Sequence, residues 1–198
     1  MRARIGALVM PATTWREVRE RLRRDRQRLL EHYAKHRVNP PRVLWLHPSY
    51  QCVLLYRLSA YHFRCGRRRL ARILWQLNLC LTGADFGPNS DAGEGLVVIH
   101  PMSTQVFGRL GCDCTLWGHV GIGGGRSIED IGAGPGLPAV GDRVVVGPRV
   151  LVLGPVRIGD DCEIGPGCVV MRELAPGTHA EVPDHLQMRA RGAPTVRD

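Results

Sequence analysis

The sequence predicts an α+β protein in which an N-terminal α-helical region is followed by a parallel β-helix. The first observation is a strict six-residue repeat between Val140 and Val170, with an aliphatic residue at each sixth position, mostly followed by glycine. The second is that the fifth place of each repeat unit holds a small residue: Val144, Val150, Val156, Cys162 and Cys168. Neither a helix nor an ordinary strand has a period of six, whereas one face of a triangular β-helix coil does. The third observation is helical spacing of apolar residues before residue 84.

These patterns divide the chain into three parts. We predict an α-helical domain over 1–83, a β-helix domain over 84–172 with a loop excursion at 123–138, and a C-terminal tail over 173–198. The tail contains Pro176, Pro183 and Pro194 and has no repeat. A Gly-rich series of β-hairpins is the alternative for the repeat region, but hairpins would not keep the phase of six.

Three helices are predicted in the first part. The first spans 12–37, with Thr13 or Thr14 as N-cap and Glu17 in its first turn. The second begins near Pro48-Ser49 and ends before Gly66. The third covers about 67–81, and we expect its aliphatic side chains to point inward: Leu70, Ile73, Leu74, Leu77 and Leu81.

The repeat continues less regularly on the N-terminal side of the excursion. Phe86, Ala92, Val98 and Thr104 are predicted at the inward place, and Cys114 and Val120 resume it after a two-residue slip near 109–113. Since three units of six make one coil, Asp85 is expected to stack beneath Ser103.

Composition limits the functions that the chain can have. The net charge of +9 is concentrated in two Arg-rich runs, 15–28 and 64–72. Acidic residues interleave in the first run, so a solvated helix surface is favoured over a site for nucleic acid or acidic lipid, and the second run could face the phosphates of a cofactor. Seven scattered cysteines favour free thiols in a reducing, cytoplasmic compartment, and Cys112-x-Cys114 does not make a zinc site. No signal peptide, membrane span or metal site is expected.

Several motifs together resemble one known family. They are HPSYQCVLLYRLSAYHF and GRRRLARIL in the helices, LTGADFGP at the entry to the repeat, LWGHVGIGGG before the excursion, and ELAPGTHAEVP at the exit. On these motifs the chain resembles the serine acetyltransferases, which are hexapeptide-repeat acyltransferases. The resemblance implies a left-handed β-helix, a homotrimer, and acetyl-CoA or another acyl-CoA bound between subunits.

The resemblance also implies a catalytic pair. In the family, a histidine removes the proton of the acceptor hydroxyl, and an aspartate fifteen residues earlier orients that histidine. Asp85 and His100 have this spacing, within GADFGP and VVIHP. An alcohol is a poor nucleophile until a base takes its proton, so the pair suits acyl transfer to a hydroxyl.

Further residues correspond to the family's binding sites. The residues that match the acyl-CoA site are Gly123, Gly124, Gly125, Gly147, Pro148, Gly165, Pro166, Val182 and Pro183. His119 is either a contact for the acceptor or cofactor, or a surface corner of the coil.

At three positions of the acceptor site, the chain departs from the serine-specific members. Ile99 replaces an aspartate before the catalytic histidine, Leu137 lies where an Arg-His pair grips the amino acid, and Asn39 replaces an aspartate before a proline. Burying a zwitterion without countercharges is costly. We therefore predict an O-acetyltransferase whose acceptor is a sugar, polysaccharide or other alcohol. A true serine O-acetyltransferase and a non-catalytic trimeric scaffold that binds through its basic helices are the alternatives. In the family, a C-terminal isoleucine docks a partner sulfhydrylase. This sequence ends in Val196-Arg197-Asp198, so no such complex is expected.

Overall fold

A computed structural model describes residues 14–182, which form three α-helices and a β-helix. The predicted helices are confirmed closely: α1 is Trp15–Lys35, α2 is Pro48–Arg64 and α3 is Arg68–Thr82, with a short 3₁₀ turn at Leu44–Leu46. Thr14 caps α1 in a capping box with Glu17, and Gly83 ends α3 in the left-handed conformation. Thr13, Pro183, Pro194 and the chain end lie outside the described residues. No helix in the described range is long and apolar enough to cross a membrane.

Fourteen short strands form three parallel sheets, which are the three faces of a left-handed β-helix. The strands are β1 Asp85–Phe86, β2 Asp91–Ala92, β3 Val97–Ile99, β4 Gln105–Val106, β5 Arg109–Leu110, β6 Thr115–Trp117, β7 Gly121–Gly123, β8 Ala139–Val140, β9 Val145–Val146, β10 Leu151–Leu153, β11 Arg157–Ile158, β12 Glu163–Ile164, β13 Val169–Val170 and β14 His179–Ala180. The sheets run β1-β4-β7-β10-β13, β2-β5-β8-β11 and β3-β6-β9-β12-β14. We call them sheets A, B and C.

The strand register corrects our prediction for the early coils. Asp85 pairs with Gln105, not with Ser103, so the first coil is two residues longer than eighteen. Val106 holds the inward strand place that we predicted for Thr104, and it pairs with Ile122 sixteen residues later. The two extra residues therefore lie between Ile99 and Thr104. A deletion of two residues between Val106 and Leu110 compensates for them. Thr104, Cys114 and Val120 are indeed fully buried, but at the small-residue place beside each corner.

The first basic run holds α1 against the β-helix. Arg24 makes two hydrogen bonds to the Asp113 carboxylate, both of 3.2 Å. Arg21 donates to the carbonyl oxygen of Ala92, and Arg28 to that of Gly95. Three arginines that we expected on a solvated surface therefore face the first coils.

A buried ion pair joins α1, α2 and the start of the β-helix. Arg57 and Asp25 are 4% and 1% exposed, and their side chains form two hydrogen bonds of 2.9 and 3.0 Å. Arg57 also donates to the carbonyl oxygens of Ala92 and Gly93, and Asp25 accepts from the backbone N–H of Leu96. These partners satisfy both charges. Without them, the buried charges would destabilise the fold.

The predicted inward face of α3 is wrong for four of its five aliphatic residues, and the fifth, Leu74, is half-buried. The side chains that α3 buries are Ala71, Asn78 and Thr82. The aliphatic stripe instead lies on the surface of the single chain: Leu70 is 40% exposed, Ile73 62%, Leu77 42% and Leu81 52%. An aliphatic stripe of this length on a helix surface is typical of an interface with another chain.

Candidate active site

His100 lies at the lengthened corner between sheet C and sheet A. It follows β3, its side chain is exposed, and its backbone adopts the left-handed conformation with φ of 53°. Such a conformation is uncommon outside glycine and costs about 1–3 kcal/mol, so it persists where the surroundings fix it. The backbone of His100 packs closely on Gly118 in the next coil. A Cβ atom at Gly118 would collide with the carbonyl oxygen of His100, so glycine is required there. The two-residue insertion thus projects His100 from an otherwise regular coil.

Asp85 lies on β1, one coil below, and is half-buried. Its Oδ1 accepts a hydrogen bond of 2.8 Å from Nε1 of Trp75 on α3. Among the described residues, no hydrogen bond joins Asp85 to His100, so the orienting role of Asp85 stays a prediction. Trp75 was not expected from the sequence, because the contact depends on how α3 packs against β1.

Two further side chains with basic groups stand on the same edge as His100. His119 and Arg149 are exposed, left-handed corner residues of successive coils, with φ of 62° and 61°. The N–H of His119 donates to Met102, and that of Arg149 to Gly118. Arg149 was missed in the sequence because it occupies an ordinary corner place of the repeat. It adds a guanidinium to the edge that carries His100.

A second histidine lies close to His100. His47 is half-buried at the N-cap of α2, where its Nδ1 faces the N–H of Ser49 at 3.4 Å and the hydroxyl of Tyr33 at 3.2 Å. Because a backbone N–H can only donate, Nδ1 is the acceptor and the proton is on Nε2. Burial, and then the proximity of His100, lowers the pKa of His47. His47 is therefore neutral at pH 7.

Of the four residues predicted to contact the acceptor, His119 shares the edge of His100, and the other three have different surroundings. Ile99 is 6% exposed and packs beneath α1 against Leu29 and Tyr33. Leu137 is half-buried and folds back over the start of the excursion, where its Cδ2 is 3.9 Å from a Cβ built on Gly124. Asn39 is exposed in the connector after α1. In the single chain, Ile99 thus acts as a packing residue, and roles in acceptor binding for Leu137 and Asn39 stay predictions.

The glycines predicted to bind the cofactor fall into two groups. At Gly147 and Gly165, a Cβ would lie 2.8 and 3.1 Å from backbone oxygens of the next coil, so coil stacking by itself requires glycine there. At Gly124, the nearest atoms would be 3.9 Å away, and stacking imposes no such requirement. Gly123 is similarly open, whereas at Gly125 a Cβ would lie 3.0 Å from the Cα of Gly154, so stacking requires glycine there too. A role of Gly123–Gly125 in binding the pantetheine arm stays a prediction. Pro148, Pro166 and Val182 are exposed near the stacked glycines.

No metal site is found among residues 14–182. No group of three histidine, cysteine or acidic side chains in that range is arranged to hold an ion. Cys112 and Cys114 are both free thiols, and burial raises the pKa of Cys114 to about 12.

Comparison with known proteins gives the family of this fold and site. The family model "Bacterial transferase hexapeptide (six repeats)" matches residues 138–172. The serine acetyltransferase of Helicobacter pylori strain 26695 is 37% identical over 144 residues, which cover 70% of this chain and 80% of that protein. The serine acetyltransferase of Mycobacterium tuberculosis is 32% identical over 136 residues, covering 68% of this chain and 58% of that one. The chain belongs to the serine acetyltransferase family of hexapeptide-repeat acyltransferases.

Solved structures agree on the fold. Serine acetyltransferase isoform 3 of Entamoeba histolytica, in complex with cysteine, superimposes with a TM-score of 0.73 at 18% identity, covering 88% of this chain and 62% of that one. Soybean serine acetyltransferase complexed with serine gives 0.72 at 23%, covering 84% and 68%. At these identities, the likeness concerns the fold alone.

Proposed function

We propose that this protein is an acetyl-CoA-dependent O-acetyltransferase with His100 as its general base. The observation that carries the proposal is the position of His100 on a two-residue insertion that projects it from the coil. In the proposed reaction, His100 takes the hydroxyl proton, and the oxygen attacks the thioester carbonyl. The C–S bond then breaks, and the leaving thiolate receives the proton from His100. Asp85 is proposed to orient His100, and the chain to act as a homotrimer with the co-substrate between subunits.

L-Serine is the acceptor that the relatives favour. Both relatives described above are named serine acetyltransferases, and the Helicobacter protein is matched over most of its length. Arg149 and His119 offer positive or hydrogen-bonding groups for a carboxylate on the edge of His100. Ile99 and Leu137 lack the charges that bind serine in the family, and Arg149 supplies a cation from a different part of the coil.

An uncharged alcohol, such as a sugar hydroxyl, is the second candidate acceptor. The observation in its favour is that Ile99 is 6% exposed and packs in a cluster with Leu29 and Tyr33, so an aspartate at this position would be buried. A carboxylate buried there would be destabilising. Under this alternative, His100 and Asp85 keep the same roles.

Thiol release from acetyl-CoA tests the proposal. We expect serine-dependent release by the wild type and a loss of about 10²–10⁴-fold in His100→Ala, as for removal of a general base. His36→Ala, which changes an exposed histidine at the C-terminal end of α1, is the matched control and should keep the wild-type activity. Release with neutral alcohols but not with serine would establish the second candidate. Full activity in His100→Ala would refute the assignment of the base.

A further inference from the structure

A cavity of about 310 Å³ lies between α3 and the first coil. Its walls are the rings of Phe63, Trp75 and Phe107, with Pro88 beside them. Gly87 gives the ring of Phe107 room to lie against β1, since a Cβ there would be only 2.8 Å from the ring. Two of these residues adjoin groups discussed above: Trp75 donates to Asp85, and Phe107 lies 3.9 Å from a Cβ built on Gly123. The cavity is small, apolar and aromatic.

Two guanidinium groups border this apolar space. Arg68 and Arg72 lie one turn apart on α3 and line the cavity. The guanidinium carbon of Arg68 is 6.0 Å from the centroid of the Phe63 ring. Neighbouring arginines have carboxylate partners, namely Arg57 with Asp25 and Arg64 with Asp91. Within residues 14–182, by contrast, no carboxylate forms an ion pair with Arg68 or Arg72.

We propose that this cavity binds a small amphipathic anion, with an apolar or aromatic body and one carboxylate or phosphate group. The aromatic walls would contact the body, and Arg68 and Arg72 would bind the anionic group, since a guanidinium pairs well with both kinds of oxyanion. A neutral sugar would leave both charges unpaired, and a cation would be repelled. The ligand is either a free effector or an anionic, apolar part of the co-substrate itself.

The cavity is linked to the candidate catalytic pair through one hydrogen bond. Trp75 forms a wall of the cavity, and its Nε1–H donates to Oδ1 of Asp85 at 2.8 Å. A ligand that packs on the indole ring therefore changes the position of the group that holds Asp85. We expect occupancy to alter the turnover number of acyl transfer. This expectation rests on the proposed function, whereas the binding itself does not.

Calorimetric titration of the full-length protein tests the site without any turnover. The probes are 3-phenylpropionate and phenyl phosphate, with 3-phenylpropan-1-ol as the neutral analogue. We expect saturable binding of the anions and at least about tenfold weaker binding of the alcohol, since hydrogen bonds to charged groups contribute that much. Arg72→Ala should weaken anion binding to a similar extent. Arg23→Ala, an exposed arginine on α1, is the matched control and should leave it unchanged.

Equal affinity for the alcohol, wild-type affinity in Arg72→Ala, or absence of saturable binding would overturn the site. Competition identifies the source of the ligand: displacement of the probe by acetyl-CoA points to the co-substrate, and simultaneous binding points to a separate effector. Trp75→Phe keeps the apolar wall but loses the N–H. It should bind the probe within about threefold of the wild type, while the probe no longer changes its turnover number. A probe that binds the wild type without changing turnover would refute the link to Asp85.

Discussion

Single side chains set much of the local stability, and the Asp25–Arg57 pair is the clearest case. Arg57→Met leaves the Asp25 carboxylate buried without a cation, and we expect the free energy of unfolding to fall by about 3–5 kcal/mol. Urea denaturation followed by circular dichroism measures this change. The double variant Asp25→Leu/Arg57→Met should lose less, because no charge then remains buried.

Arg143 provides the control for this prediction. Its ion pair with Asp161 is as short as 2.6 Å, but both side chains are more than half exposed. Arg143→Met should therefore leave the unfolding midpoint unchanged. If the two arginine variants were equally destabilised, burial would not be the reason for the effect at Arg57.

His47 predicts how stability depends on pH. Its pKa in the folded chain is below the unfolded value of about 6.5, so the neutral form stabilises the fold above that pH. This contribution is lost as the pH falls below 6.5. His32 acts in the same sense through burial and the nearby His36, Lys35 and Arg28, whereas Glu181 raises the pKa of His179 and opposes the trend. We expect the melting temperature to decrease between pH 7.5 and 5, and to decrease less in His47→Gln, which keeps an acceptor for Ser49 but does not titrate.

At the scale of elements, the sequence predicted the helices well and the coils only in part. The helix bounds followed from an N-cap at Thr14, a proline at Pro48 and a glycine at Gly83, which are local signals. The inward places predicted for Phe86, Ala92 and Val98 are confirmed, but the register over 104–120 was wrong. Thr104 and Val106 are both buried two residues apart, so the pattern fits two phases. The contact between Trp75 and Asp85 joins two elements across a packed interface, and no local signal encodes it.

Alanine substitutions at Gly147 and Gly124 distinguish a glycine that coil stacking requires from one that the cofactor requires. Gly147→Ala should destabilise the protein by about 1–3 kcal/mol, because the new Cβ would overlap the backbone of the next coil. In Gly124→Ala, the atoms nearest to the new Cβ would be 3.9 Å away, so the stability should stay within about 0.5 kcal/mol of the wild type. If the pantetheine arm passes Gly124, the KM for acetyl-CoA should rise in that variant. An unchanged KM would remove Gly124 from the proposed cofactor site.

For the whole molecule, the surface that the single chain leaves exposed is the main guide to assembly. Four of the aliphatic side chains of α3 lie at helical spacing on one side: Leu70, Ile73, Leu77 and Leu81. Three of these four are more than two fifths exposed. The sequence shows such a stripe but not which chain covers it, and this is why we placed it in the core of the same chain. Its exposure supports the proposed homotrimer, in which a second copy covers it.

Substitution within this stripe tests the assembly. Ile73→Glu places a charge in the middle of the proposed contact, which is unfavourable once the surface is desolvated. We expect light scattering to give three chains of 21.9 kDa per particle for the wild type and one for the variant. Ile128→Glu changes an isoleucine that is 85% exposed in the excursion, and this control should remain trimeric. A wild-type protein that is monomeric at micromolar concentration, or an Ile73→Glu variant that stays assembled, would show that another chain does not cover α3. Loss of acyl transfer together with dissociation, in a variant whose helical content is unchanged, would further place the active site between subunits.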